Sequence, residues 1–188
     1  ERALVVVDLP FGSYQSDPKE ALRSSIRIMK ESGGHAVKLE GGKEIKESIK
    51  KILHAGIPVM GHLGLTPQSV HALGGFKVQG RGDDGDRIIK DAKALAAAGV
   101  FAIVLEAVPA ALAKEITDQL TIPTIGIGAG SGCDAQVLVW TDLVGLTANP
   151  PKLAKAYRNL RKELMGAAQE FAEEVRSGKF PTESQTFH

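Results

Sequence analysis

Short runs of aliphatic and β-branched residues alternate along the chain with longer segments of helical period, the pattern of βα units around a parallel sheet. The apolar runs predict six strands, over residues 3–8, 36–40, 58–63, 101–106, 124–128 and 137–140. The segments between them predict helices over 17–31, 43–55, 85–98 and 109–120, and a last one over 150–176. Local punctuation agrees with these boundaries. Asp17-Pro18 sets a capping carboxylate before a proline at the first helical position, and Gly33-Gly34, Gly56 and Gly99 follow helices as stop signals. Within the last segment, Leu153, Tyr157, Leu160, Leu164, Ala168, Phe171 and Val175 step by four and three. That amphipathic stripe is longer than one barrel wall needs, so its distal part is expected to pack on another subunit. Residues 177–188 read as a polar, loosely ordered tail. No repeat, low-complexity stretch or linker divides the chain, which predicts a single barrel domain over residues 1–188.

Three of the predicted strands finish with an acid: Val5-Val6-Val7-Asp8, Ala36-Val37-Lys38-Leu39-Glu40 and Phe101-Ala102-Ile103-Val104-Leu105-Glu106. When parallel strands close into a barrel their C-terminal ends share one rim, so these carboxylates are expected to converge. Clustered carboxylates repel unless something compensates, and a hard divalent cation of the Mg²⁺ type does so through oxygen ligands. Lys38 and Glu40 are two apart on a strand and therefore point to one face. Six strands do not close a (β/α)₈ barrel, whose usual length is about 250 residues. The expectation is therefore a (β/α)₈ TIM barrel with its first two βα units absent from this chain. The competing doubly wound sheet would carry Gly-x-Gly-x-x-Gly after the first strand, and Asp8-Leu9-Pro10-Phe11-Gly12-Ser13 holds one glycine. Gly126, Gly128 and Gly130 alternate, leaving one strand face bare. Either close backbone packing or space for a ligand at the barrel mouth explains them, and ligand space is the expectation.

Composition narrows the class. Of 188 residues, 23 are basic and 22 acidic, and no Lys/Arg run interleaves with aromatics, so no nucleic-acid footprint is present. No apolar run approaches the ~20 residues that span a bilayer, and Glu1-Arg2-Ala3 leads into a strand without a signal-peptide layout. The lone Cys133 excludes an internal disulfide framework and suits a reducing, cytoplasmic setting. Trp140, Tyr14 and the phenylalanines read as core or loop anchors.

Six ordered segments carry a specific resemblance. They are Val7-Asp8-Leu9-Pro10-Phe11-Gly12-Ser13-Tyr14, His35-Ala36-Val37-Lys38-Leu39-Glu40-Gly41-Gly42, Gly61-His62-Leu63-Gly64-Leu65-Thr66-Pro67-Gln68, Gly74-Gly75-Phe76-Lys77-Val78-Gln79-Gly80-Arg81, Leu105-Glu106-Ala107-Val108-Pro109, and Ile125 to Gly130 continuing through Asp134 to Leu138. Together they resemble ketopantoate hydroxymethyltransferase over residues 3–146. The resemblance implies transfer of a hydroxymethyl group from 5,10-methylenetetrahydrofolate to 3-methyl-2-oxobutanoate in pantothenate and coenzyme A biosynthesis, with Mg²⁺, in a homo-oligomer that is commonly a decamer. It implies that Asp8 and Glu40 hold the metal, with Asp8 also beside the substrate. Lys38 and His62 would contact the substrate, and Glu106 would accept its proton. A further metal-binding aspartate and its neighbouring serine, in a Gly-Asp-Ser segment of the family, have no counterpart in this sequence.

The same positions suit that chemistry on physical grounds. A divalent ion chelating the keto oxygen and carboxylate of a 2-oxo acid acts as a Lewis acid where enolate charge develops. Glu106 ends an apolar strand, where partial desolvation suits a carboxylate to general-base work. Two other readings stay open: a Mg²⁺-dependent 2-oxo acid enzyme of the phosphoenolpyruvate mutase and isocitrate lyase type, and a non-catalytic barrel fragment.

Overall fold

The computed structural model describes residues 3–188; the start at Glu1 and Arg2 lies outside the described residues. Six parallel strands form one sheet in the order of the sequence: β1 (Val6–Asp8), β2 (Ala36–Glu40), β3 (Val59–Gly64), β4 (Ala102–Glu106), β5 (Thr124–Ile127) and β6 (Ala135–Gln136). Helices α1 (Pro18–Glu31), α2 (Lys46–His54), α3 (Asp84–Ala98) and α4 (Ala110–Gln119) connect the first five strands. Each strand pairs parallel with the next, so the sheet winds in one direction with no reversal of strand order. That is the winding of a barrel wall, and it excludes the doubly wound alternative, which requires a switch point.

Register decides which side chains share a face. Partners in parallel register point the same way and successive residues alternate. Val37 pairs with Val59, Leu39 with Gly61, Ile103 with Thr124 and Leu105 with Gly126, so these lie on one face of the sheet. Against that face pack Ala21 of α1, Ile49 and Ile52 of α2, Ile88, Ala92 and Leu95 of α3, and Leu112, Ala113 and Ile116 of α4. Ile103 and Leu105 are fully buried there, each burial contributing about 1.5–3 kcal/mol. The central strands are covered on both faces, which is why they read as unbroken apolar runs.

The helices begin where the punctuation places them. Asp17 caps α1 by accepting the N–H of Lys19 at 3.0 Å, with Pro18 in the first turn, and Gly99 ends α3 in the left-handed region at φ 103°. The predicted helix over 43–55 divides into a 3₁₀ turn at Lys43–Ile45 and α2.

The chain separates into two compact units, Glu1–Val137 and Leu138–His188. The second holds α5 (Trp140–Leu143) and α6 (Leu160–Ser177). Two expectations fail here. The strand predicted over 137–140 is displaced: β6 is Ala135–Gln136, and Trp140 opens a helical turn. A four-residue apolar run does not distinguish strand from helix by periodicity. The last helix starts at Leu160 rather than 150, because Pro150-Pro151 withhold two N–H groups and Asn159 supplies the cap, accepting the N–H of Lys162 at 3.1 Å. Leu153 and Tyr157 therefore precede the helix instead of extending its stripe. The tail expected to be loosely ordered holds a turn at Glu183–Gln185 with a capping box from Thr182. No α6 residue is buried within this structure.

Candidate functional site

The sheet face opposite the helix-packed one carries the polar residues. Asp8 is in register with Lys38, Glu40 with His62, and Gly64 with Glu106, so Asp8, Lys38, Glu40, His62 and Glu106 all project from one face at the C-terminal ends of four adjacent strands. Their side chains form a connected row. Lys38 Nζ stands 2.6 Å from Asp8 Oδ1 and 3.1 Å from His62 Nδ1, and His62 Nε2 stands 3.3 Å from Glu106 Oε2. Asp8 is 61% exposed at the rim, whereas the side chains of Glu40 and His62 are 8% and 4% exposed. The row runs from water into the protein.

Proton inventory fixes the state of the histidine. An ammonium only donates, so Nδ1 of His62 accepts from Lys38 and the ring proton resides on Nε2. Nδ1 and Glu40 Oε1, 3.8 Å apart, are then two acceptors and form no ion pair. The Nε2–H group is within ion-pair distance of Glu106 but not aligned for a hydrogen bond, and it is a buried donor without a partner. A native structure rarely leaves such a donor orphaned except where a ligand or a small movement completes it.

Three loops hold this row in place. Tyr14, on the loop after β1, is 1% exposed; its hydroxyl accepts the N–H of Glu40 at 3.1 Å and lies 2.9 Å from Gln68 Oε1. Burial pushes the Tyr14 phenol up to about 12, with the Glu40 and Asp8 charges adding to the effect, so it acts as a neutral hydroxyl. Gln68, on the loop after β3, gives its main-chain N–H to Glu40 Oε2 at 2.9 Å. Asp91 of α3, buried, accepts the N–H of Lys43 at 3.2 Å and so fixes the turn that follows Glu40. Gly64 closes β3 at φ 90°; a Cβ there would strike the carbonyl oxygen of Glu106, to which Leu65 N–H donates at 2.8 Å. Ala107, directly after Glu106, sits at φ 47°, a left-handed conformation costing about 1–3 kcal/mol for a residue with a side chain.

Tyr14 and Gln68 escaped the sequence reading as site residues. Tyr14 read as an anchor and Gln68 only as the end of a motif, and their sole signal was membership of segments that also hold Asp8 and His62. The expected ligand space at glycines 126, 128 and 130 is not there. Gly126 lies on the helix-side face opposite Leu105, where a Cβ would press on Gln136 and Cys133, and one on Gly130 would strike Ala110. Gly128 and Gly130 follow the end of β5 at φ 64° and 75°. Close packing and turning explain these glycines, not ligand space. One surface cleft of about 290 Å³, lined by Leu53, Ile57, Pro58, Val59 and Phe101, lies at the opposite, N-terminal rim of the strands. Chemistry rather than concavity marks the site.

The donor set at this rim suits a hard divalent cation. Among the described residues no three His, Cys, Asp or Glu side chains form a metal cage. Mg²⁺ does not need one: it keeps several waters and is held through one or two carboxylates together with substrate oxygens. Asp8 and Glu40 are two such carboxylates on adjacent strand ends of one face. Glu40 Oε2 is engaged by Gln68, while Oε1 accepts no hydrogen bond. Lys38 occupies Asp8 and would yield to a bound cation. The residues fit the ion.

Comparison with known proteins follows the same line. The ketopantoate hydroxymethyltransferase family matches residues 1–183. The 3-methyl-2-oxobutanoate hydroxymethyltransferase of Christiangramia forsetii is 60% identical over 188 residues, covering 99% of this chain and 69% of its own length. That of Acidothermus cellulolyticus is 58% identical, covering 100% of this chain and 69% of its own. The chain thus spans about two thirds of the length of these relatives. Among solved structures, phosphonopyruvate hydrolase aligns with a TM-score of 0.52 at 12% identity, over 97% of this chain and 64% of that one. A putative phosphonomutase from Burkholderia cenocepacia aligns with a TM-score of 0.52 at 17% identity, over 94% and 70%. These two likenesses show the fold alone.

Proposed function

Because this chain belongs to the ketopantoate hydroxymethyltransferase family, one-carbon transferases that form ketopantoate, we propose that the polar row on β1 to β4 is its reaction site. One observation supports this reading above the rest: five side chains suited to deprotonating a 2-oxo acid share one face and touch in sequence, Asp8 to Lys38 to His62 to Glu106, with Glu40 beside them.

In this reading Asp8 and Glu40 would hold Mg²⁺, which would supply Lewis-acid stabilisation at the keto oxygen of 3-methyl-2-oxobutanoate. Lys38 orients the substrate by presenting its ammonium to the substrate carboxylate. Glu106 Oε2 takes the proton from C3 of the substrate, which leaves C3 nucleophilic toward the one-carbon unit of 5,10-methylenetetrahydrofolate. The Nε2–H of His62, 3.3 Å from the same Glu106 oxygen, would turn onto it and hold the carboxylate in place while it is charged. The left-handed Ala107 and the close approach of Gly64 to the Glu106 carbonyl fix the main chain where that base leaves its strand. The reading extends to a homo-oligomer, a decamer, with the stripe of α6 as its contact, and to a cytoplasmic enzyme. Its partners are small molecules, with no nucleic acid or membrane.

The test is exchange of the C3 proton of 3-methyl-2-oxobutanoate with deuterated water, followed by NMR in the presence of Mg²⁺ and without folate. Glu106→Gln preserves shape and removes the acceptor, so exchange should slow by roughly 10²- to 10⁴-fold, the usual worth of a general base. Exchange at the wild-type rate in Glu106→Gln, with failure only when folate is added, would move Glu106 to the one-carbon donor and overturn its assignment as the base.

A further inference from the structure

We propose that Gln68 is a positioning residue for Glu40: it sets the direction of that carboxylate through its own main-chain N–H, and its side chain locks that N–H in place. The inference rests on the reading of Glu40 as a metal-holding carboxylate.

The hydrogen bonds define the part it plays. Gln68 N–H donates to Glu40 Oε2 at 2.9 Å. A carboxylate with one oxygen held in this way no longer rotates freely, and its other oxygen, Oε1, is turned to the side of the row that carries His62, 3.8 Å from Nδ1. The N–H belongs to a short turn, Pro67–Ser69, on the loop after β3. The Gln68 amide ties that turn to the loop after β1. Nε2 donates to the carbonyl of Leu9 at 2.8 Å, while Oε1 accepts from the Tyr14 hydroxyl at 2.9 Å and from Gln15 Nε2 at 3.0 Å.

The amide has one possible orientation. Leu9 offers only an acceptor. Gln15 already uses its own oxygen to accept Gly12 N–H at 2.8 Å, so toward Gln68 it donates. A flipped amide would set oxygen against carbonyl and nitrogen against nitrogen. Tyr14 completes the lock from the other side: its hydroxyl accepts the N–H of Glu40 itself at 3.1 Å and has a single proton, directed to Gln68 Oε1 at 2.9 Å in preference to the Glu40 carbonyl at 3.2 Å. Residue 68 is thereby tied to the loop after β1 and to the end of β2 together. Partners of this kind orient ligating groups, and removing one typically costs 10- to 100-fold in metal affinity or activity.

Gln68→Met keeps the length and packing of the side chain and deletes its three hydrogen bonds. Mn²⁺, read by electron paramagnetic resonance, serves as the probe on the 188-residue chain. Gln68→Met should weaken Mn²⁺ binding by about tenfold. Glu40→Gln should weaken it too, and the double variant should bind no worse than Glu40→Gln alone, since the latch has nothing left to orient. A purely structural Gln68 would instead lower the melting temperature while leaving the Mn²⁺ affinity at the wild-type value, or its loss would multiply with that of Glu40→Gln; either result overturns the inference. If Gln68→Met does not fold, Tyr14→Phe decides, because it keeps the buried ring and removes only the hydroxyl: weakened Mn²⁺ binding supports the lock, unchanged binding overturns it. A wild-type chain that takes up no Mn²⁺ overturns the metal reading and this inference with it, and that failure shows before any variant is made.

Discussion

At the scale of single residues, the site depends on protons being held where they are needed, and Tyr14 offers a measurement of this. Its phenol is pushed from 10.0 up to about 12 in the folded protein, chiefly by burial. A raised value means the native state keeps its proton more tightly than the unfolded chain does. The associated stability is therefore complete below pH 10, falls as the pH rises from 10 toward 12, and has gone above that. Tyr14→Phe has no such proton, so its alkaline unfolding should be less steep over that window than the wild type's, as followed by circular dichroism at stepped pH. Equal slopes would show that Tyr14 ionises in its ordinary range and that burial does not hold its proton. The sequence made the acids and their shared face legible, because a period of two places Lys38 beside Glu40 and a parallel register then aligns Asp8, His62 and Glu106 with them. It did not make Tyr14 or Gln68 legible. Both act from loops, where no periodicity relates a position to a direction, and both act through atoms that every glutamine and tyrosine possesses.

At the scale of elements, the close approach at the ends of β3 and β4 depends on the absence of a side chain. Gly64 lies at φ 90° with its missing Cβ directed into the Glu106 carbonyl. Gly64→Ala faces two penalties, a left-handed backbone and a backbone clash that no side-chain rotation relieves. It should destabilise the chain by more than about 1 kcal/mol in urea unfolding and move Glu106 away from His62, slowing C3 exchange as well. A Gly64→Ala chain with wild-type stability and exchange would show that this approach is not needed. The elements themselves were legible wherever two signals coincided. β2 matches its predicted span because a buried Val37 and Leu39 alternate with Lys38 and Glu40, and α1 begins at Asp17-Pro18 because cap and proline agree. Where one signal stood alone, the reading slipped. The run 137–140 has apolar character without length, and the stripe beginning at Leu153 has helical spacing but crosses into a helix whose cap is Asn159. Spacing reports which residues would share a helical face and is silent on whether a helix has started.

At the scale of the whole chain, apolar side chains are exposed among the described residues both on α6 and beside β1, and they predict different behaviour. On α6, Leu164, Met165, Phe171 and Val175 are each about half exposed or more, a face suited to a contact between copies. On the sheet, β1 pairs with β2 alone among the described residues, and just before it Leu4 and Val5 are 60% and 40% exposed. A strand edge with unpaired main-chain groups and apolar neighbours is a template for adding further chains, and unlike a self-complementary helix face it sets no limit to their number. The 188-residue chain should therefore scatter light increasingly with time and concentration. Leu4→Lys places a charge beside that edge at a position already in water, so it should suppress the open-ended scattering with little effect on the melting temperature. Leu164→Lys should reduce the size of any defined oligomer and leave the open-ended scattering in place. If Leu164→Lys abolishes the scattering and Leu4→Lys does not, association runs through α6, and the edge of β1 is not the template.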